Sequence, residues 1–339
     1  MTDSASSDPT DQPIEIRAYA PGDEKEILAV WHRVFPWASR SMDEWNWEFR
    51  DNPEGLHAFV GVTPTGRVVS QFTGIPRRMK VGDGHRQFAE MVDSLSDPEF
   101  RAGLKKMGLF ANTVHRYVDR YGSPDAETVM YGLPTQEAFR LGQKLCGYVH
   151  IDHLESVVVP PSPGWTPPPG ITVERWDRFG PETDVFWRRI ADQHDVAVVK
   201  DARYLNWRYP HRPGVTYRTA ALRDAAGTLF AILVVRDRWL EVERKCRQTA
   251  AAEWVVDRAH PAAGSAFDLL SALAAEDGAE RGAVVFRRNN PEWNAAAARG
   301  FATVPVEFRF VARTYDFDRV PISRLADGWD LSLGDFDVI

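Results

Sequence analysis

Cysteine is almost missing from this chain: Cys146 and Cys246 are the whole complement of 339 residues, and neither sits in a CxxC or Cys/His pattern. A disulfide scaffold is excluded, and two isolated thiols fit a reducing compartment. Long apolar runs are missing too. The longest, Leu229 to Val235, is far shorter than the roughly twenty residues a membrane-crossing helix needs. The opening segment, Met1 to Pro13, is rich in Ser, Asp, Thr and Pro and has neither a basic start nor an apolar centre. It reads as a disordered tail and not as a signal or transit peptide, so a cytoplasmic protein with no membrane partner is expected. Positive charge is also in short supply: 41 Lys and Arg face 48 Asp and Glu, a net charge of -7. That is the wrong sign for a protein that works on phosphate backbones, so no nucleic-acid partner is expected, and a cationic small molecule suits the surface better.

Several catalytic signatures are absent as well. Gly61 and Gly66 have the spacing of a P-loop, but Arg67 and Val68 follow where Lys and Ser/Thr belong. No Gly-x-Ser-x-Gly elbow occurs. His150-Ile151-Asp152-His153 lacks the HExxH form, and on a strand its two imidazoles should point to opposite faces, so no metal is expected.

What is present is a globular composition, 44% hydrophobic and 26% charged, in a chain long enough for two domains. The stretch Pro160 to Gly170 holds six prolines and acts as a semi-rigid spacer. On either side of it the sequence repeats itself. Ile14-Glu15-Ile16-Arg17 and Ile171-Thr172-Val173-Glu174 both alternate like half-buried strands. A helical pattern follows each. In the first half Asp23 and Glu26 are spaced as a capping box before Ile27, Val30, Trp31 and Val34 on one face. Asn46-Trp47-Glu48-Phe49 before Pro53 returns as Asn206-Trp207-Arg208-Tyr209 before Pro213. Ala89-Glu90 before Pro98 returns as Ala252-Glu253 before Pro261. Amphipathic helices come next, with Phe110, Val114, Tyr117, Val118 and Tyr121 stopped by Gly122, and Phe267, Leu270 and Leu273 stopped by Gly278. Gly147-Tyr148 and Gly300-Phe301 close the two copies.

These marks, together with the strand Ala89 to Ser96, the turn Asp97-Pro98-Glu99-Phe100-Arg101 and the run Tyr131-Gly132-Leu133-Pro134, resemble the GNAT superfamily of N-acetyltransferases. The whole is similar to its tandem members: mycothiol synthase, the Fem-type aminoacyltransferases and the Eis-like aminoglycoside acetyltransferases. The resemblance implies an α/β fold of two GNAT-like domains, each a mixed twisted sheet flanked by helices. The tail would cover 1–13, the first domain 14–159, the linker 160–170 and a degenerate second domain 171–339, with the two domains packed face to face.

The resemblance also implies a function: acetyl-CoA-dependent acyl transfer to an amine, or less readily a hydroxyl, of a small-molecule, sugar or peptidoglycan-like acceptor. Acetyl-CoA would lie along Ser94, Leu95 and Ser96. Its pyrophosphate would meet Arg101, Lys105, Lys106, Met107, Gly108, Leu109 and Phe110, where a helix N-terminus with a glycine makes an anion site. In the second half Pro261-Ala262-Ala263-Gly264 keeps the glycine but has no basic residue, so cofactor binding is expected in the first half alone. Glu90 stands where the family often places its general base, a role that needs burial to raise its pKa; the alternative is a solvated strand glutamate. The family's tyrosine acid is replaced by Gln143 and Ala296, leaving Tyr131 and Tyr148 as substitutes unless they pack in the core. By the same resemblance, Asp335, Asp337 or the terminal carboxylate of Ile339 would reach the pocket; otherwise the apolar tail simply docks on the second domain. Two other readings share the fold: a non-catalytic GNAT-like binding protein and a Fem-type aminoacyltransferase, the latter opposed by the acidic surface.

Overall fold

The computed structural model describes residues 12–100, 108–237, 246–288 and 290–337. The first half runs β1 (Glu15–Ala18), α1 (Glu24–Val34), α2 (Met42–Trp45) with a π-helical turn at Asn46–Arg50, β2 (His57–Val62), β3 (Val68–Val81), β4 (Gly84–Ser96), α3 (Leu109–Tyr121), β5 (Glu127–Gly132), α4 (Gln136–Leu145) and β6 (Val149–Val159). After a coil through the proline-rich spacer the second half follows the same order: β7 (Thr172–Trp176), α5 (Pro181–Ile190), the extra strand β8 (Val196–Val198), α6 (Ala202–Arg208), β9 (Arg218–Arg223), β10 (Leu229–Asp237), β11 (Gln248–Val256), α7 (Ser265–Glu276), β12 (Arg281–Phe286), α8 (Pro291–Ala298) and β13 (Ala302–Thr314). A last helix, α9 (Ile322–Gly328), leads into the C-terminal segment.

The halves do not stack face to face. They share one 13-stranded sheet ordered β1-β2-β3-β4-β5-β13-β6-β12-β11-β10-β9-β7, with β8 attached to β3. The order reads the same from either end, as a pseudo-twofold duplication requires, and the two closing strands, β6 and β13, are exchanged between the halves. β13 lies against β5, with Val311 opposite Gly132 and Thr314 opposite Val129. β6 lies against β12, with Gly282 opposite Val159. The exchanged strands also pair with each other. Edge strands seek partners because their backbone groups are costly to leave unpaired, and the exchange satisfies both inner edges at once.

The repeated Asn-Trp block marks the same pseudo-axis. The Trp47 indole donates to the Trp207 carbonyl at 2.6 Å, the Trp207 indole donates to the Trp47 carbonyl at 2.7 Å, and the rings stack at 5.6 Å. One core cluster spans both halves on this face, from Ile27, Trp45 and Phe88 to Leu205, Trp329 and Phe336. The opposite face holds two separate clusters, one under α3 and α4 around Phe72, Val114 and Tyr117, and one under α7 around Phe230, Leu270 and Phe286. The α3 face is the one its spacing predicts, with Val114 and Tyr117 buried.

Two local expectations are corrected. Asp23 is the N-cap of α1, but its side chain makes no cap bond; Arg17 and the Ala20 amide take the carboxylate instead, at 2.7 to 2.9 Å. The His150 and His153 rings are not on opposite faces; they lie 4.4 Å apart, because β6 carries an extra residue where its register with β13 shifts beside Val311. Among the described residues no group of three or more His, Cys, Asp or Glu converges to hold a metal ion, and no helix is long and apolar enough to cross a membrane.

Trp47→Ala removes a buried indole and leaves the Trp207 carbonyl without its donor. We expect a loss of about 3–5 kcal/mol in urea unfolding. Trp47→Ala and Trp207→Ala combined should cost clearly less than the sum of the two, because each removes the other's partner.

Candidate acyl-transfer site

β4 and β5 are parallel and paired only as far as Glu90 opposite Tyr131. Beyond that point they part. β4 continues to Ser96 bonded on its β3 side, and its other edge faces an open cleft. Gly132 ends β5 where the strands separate, and a Cβ there would meet the Met91 carbonyl at 3.3 Å. The register of β3 and β4 slips by one residue between Gln71 and Thr73, and Asp93 in this bulge has a positive φ of 47°. Asp93 is the one described non-glycine residue in that left-handed region. Aspartate tolerates it better than most side chains.

The cleft has a volume of about 240 Å³. Met91, Val92, Asp93 and Ser94 form its β4 wall, Phe110 stands at the start of α3, and Leu141, Leu145 and Tyr148 come from α4 and its exit. The walls are mainly apolar, but Asp93 and Asp337 also line it. Gly108 is the N-cap of the thirteen-residue α3, and among the described residues nothing lies within 4 Å of where its Cβ would be. The first amides of a helix lack intrahelical acceptors, so the start of α3 beside the cleft is a place where an anion is favoured.

The structure brings together part of the set expected from sequence. Ser94 and Phe110 line the cleft, and Gly108 and Leu109 begin α3 beside it. Leu95 points away into the shared core, and Ser96 is not among the lining residues. Arg101, Lys105, Lys106, Met107 and Ile339 lie outside the described residues. Tyr131 is corrected: it is fully buried, it does not line the cleft, and its hydroxyl donates to the Asp335 carbonyl at 3.1 Å. Tyr148 does line it, its ring lying so close on α4 that a Cβ on Gly142 would come within 2.4 Å. Gln143 faces solvent.

Glu90 is not a solvated strand residue; it is 1% exposed. Arg77 Nη2 donates to its Oε2 at 3.0 Å, and the Asp337 amide donates to its Oε1 at 2.5 Å. Burial first, and the Asp337 carboxylate second, push its pKa up to about 8 against the pull of Arg77 and Arg208. Asp337 is raised as well, by burial and by Asp93. Asp93 in turn accepts from the Trp31 indole at 3.0 Å and pairs with Arg40, which also holds Glu48. Glu48, Glu90, Asp93 and Asp337 thus lie among Arg40, Arg77 and Arg208, and burial, ahead of the neighbouring carboxylate, is the larger reason that Glu90 holds its proton more tightly than an ordinary glutamate.

Sequence inspection missed the groups that put Asp337 there. Arg208 donates to the carbonyls of Gly334 at 2.7 Å and Phe336 at 2.6 Å, and Tyr204 donates to Gly334 at 3.1 Å. Lys200, buried, joins Glu253 at 2.9 Å to Asp335. One signal was available: Arg208 occupies the place in the repeat where the first copy has Glu48. A charge reversal inside a buried block points to a task beyond packing.

The matching cleft in the second half is filled. Trp254 follows Glu253 as Met91 follows Glu90, and its indole packs on Phe267 at 4.8 Å and Phe286 at 5.5 Å. With Arg258, Glu292 and Asp330 crowding in, about 20 Å³ remains, little more than a water's room.

The raised pKa of Glu90 has a measurable consequence. Its folded value lies above the unfolded value near 4.3, so the folded state binds this proton more tightly. Its contribution to stability is full below pH 4.3 and is lost as pH rises to about 8. Glu90→Gln lacks this loss. Urea midpoints should therefore shift in the variant's favour between pH 5 and pH 8.5, whereas a difference that is constant with pH would contradict the buried, protonated carboxyl.

No protein-family model matches the sequence, and no curated protein sequence matches it. Solved structures do. A probable N-acyltransferase from Enterococcus faecalis V583 superposes with a TM-score of 0.63 at 12% identity, over 91% of this chain and 74% of that one. A GCN5-related N-acetyltransferase from Anabaena variabilis gives 0.64 at 12%, over 89% and 73%. Eis1 from Mycobacterium abscessus gives 0.54 at 12%, over 90% and 74%. The likeness extends over both halves and shows the architecture: the chain has the two-domain GNAT fold.

Proposed function

We propose that the protein is an acyl-CoA-dependent N-acyltransferase, with acetyl-CoA as donor and a small-molecule amine as acceptor, working in the first-half cleft. The observation that carries this reading is the contrast between the two copies: the same pair of strands parts in both, and among the described residues the first leaves a cleft of about 240 Å³ where the space beside Trp254 in the second is about 20 Å³. The residues present fit the donor. The free edge of β4 from Met91 to Ser94 offers backbone groups to a pantetheine chain, and Gly108 with the start of α3 suits its pyrophosphate. Bound there, an acyl-CoA supplies a thioester carbonyl for an amine to attack.

The chain's own groups then handle position and protons. Asp337 faces the cleft and is the group placed to hold an acceptor ammonium and take its proton. Glu90, behind it, anchors the Asp337 amide and keeps a proton near neutral pH, leaving the Asp337 carboxylate free to act as base. Tyr148 lines the same cleft, and burial raises its pKa well above the ordinary value. It is the hydroxyl placed to protonate a departing thiolate. The aligned ternary arrangement contributes to rate by removing the entropy of encounter.

Calorimetric titration with acetyl-CoA and free CoA tests the donor site. One site is expected, abolished by Gly108→Glu through bulk and like charge and retained in Gly264→Glu. Equal loss in both variants, or no binding by the unaltered protein, rejects the reading; the latter favours a non-catalytic binding protein. Asp337→Asn should leave acetyl-CoA affinity intact and lower kcat by about a hundredfold or more.

A further inference from the structure

Two carboxylates line the first-half cleft, Asp93 and Asp337, and the first of them is bound on both of its oxygens. The Trp31 indole donates to Asp93 Oδ1 at 3.0 Å, and the Arg40 guanidinium donates to Oδ2. The same guanidinium pairs with Glu48 and lies over the rings of Trp31 at 5.6 Å and Phe49 at 5.0 Å. Arg40 comes from the loop between α1 and α2, which is fastened at both ends: His32 Nε2 donates to the Arg40 carbonyl at 3.1 Å, and Ser41 is the N-cap of α2 in a capping box with Glu44. Asp93 is fixed from its own side by the bulge of β4, where its backbone φ is 47°. A residue in sparsely populated backbone, its side chain bound by an indole and a guanidinium, is over-determined in position, a pattern that marks functional sites.

We infer that Arg40 is a positioning residue for the proposed reaction: it holds and neutralises Asp93, so that two carboxylates line one cleft while Asp337 alone serves as its base. This rests on the acyltransferase reading and adds a residue to it. Two interacting carboxylates without a compensating cation share a proton, and neither is then a dependable base. The groups acting on Asp337 are Glu90 and Asp93 from β4, Arg40 from the loop after α1 and Arg208 from α6. Burial and Asp93 favour its protonated form, and Arg40, Arg208 and the hydrogen bond with the Glu90 side chain favour its carboxylate. Arg77, on β3, acts one step further back through Glu90. Tyr148 and Cys146 also line the cleft but stay neutral, since burial lifts the phenol well above its usual range and the thiol to about 12. Arg208 bonds the tail carbonyls, whereas Arg40 bonds Asp93 itself, so Arg40 is the group that separates the two carboxylates in charge.

The experiment follows the Asp337 carboxyl by carbon NMR across the acid to neutral range, in protein whose aspartates are isotope-labelled at the side-chain carboxyl; the signal is identified by its loss in Asp337→Asn. Arg40→Met keeps an apolar stem against Trp31 and Phe49 and should move the Asp337 midpoint up by about one pH unit or more, because Asp93 then acts on it unopposed. Asp93→Asn should move the midpoint down; asparagine keeps an oxygen for the Trp31 indole and tolerates the positive φ. The two changes combined should return the midpoint to within about half a unit of the unaltered protein's. Acetyl-CoA titration of every protein checks the donor site independently. An unchanged midpoint in either single variant, or a shift in Arg40→Met that Asp93→Asn does not reverse, overturns the inference and leaves the donor site standing. Loss of acetyl-CoA binding in Arg40→Met alone also overturns it, since Arg40 would then be needed to form the cleft. Failure of the unaltered protein to bind acetyl-CoA overturns the acyltransferase reading itself, and this inference with it.

Discussion

The exchange of β6 and β13 in the middle of the sheet is the constraint on which the rest of the structure depends. Each strand closes the sheet of the other half, so neither half completes its backbone hydrogen bonding alone. Placing β13 against β5 also determines where the chain goes next. α9 and the segment after it emerge on the first half, and the last described residues run into its cleft. Asp337 reaches Glu90 across most of the chain's length because a strand of the second half lies beside the strand that forms the cleft.

That route takes the tail through an interior with many charges. Arg77, Arg208, Lys200, Glu90, Glu253 and Asp335 are all buried. Buried ion pairs are a poor source of stability, since desolvation offsets most of the attraction, but removing one partner is severe. Their geometry suggests what they do here: three of the cations hold either the tail or the glutamate it meets. Arg77 is the extreme case. It bonds Glu90, its plane lies 4.8 Å over Trp207, and its Nε and Nη1 find no acceptor among the described residues. The aromatic face offsets part of the cost of burying the guanidinium.

Duplication followed by divergence is visible in single side chains. Glu90 and Glu253 occupy the same place on equivalent strands, yet one meets an arginine and the tail amide while the other accepts from Lys200 and the Tyr209 hydroxyl at 2.9 Å. Met91 leaves a cleft, and Trp254 fills one. The second copy has the corresponding space occupied by indole and ion pairs, and it supplies Arg208, Tyr204 and Lys200 to the tail that meets Glu90 in the first.

The sequence by itself determined the duplication, the order of strands and helices, the buried faces of α1 and α3, and the strand carrying Glu90, because these follow from local periodicity and from side-chain patterns that recur. It also marked Gly108, Ser94 and Phe110 for the cleft, through a resemblance carried by spacing, and the tail aspartates as candidates for it. Only the tertiary structure decided that the halves share one sheet, since exchanged strands have the same local pattern as unexchanged ones. It turned Tyr131 into the core, a matter of which face of β5 the residue occupies, and brought His150 beside His153 through a bulge that period-two reasoning does not contain. It also decided which tail aspartate meets Glu90 and how far the pKa of that glutamate rises. Burial and the approach of charges from distant segments are properties of three-dimensional packing, which one-dimensional spacing does not encode.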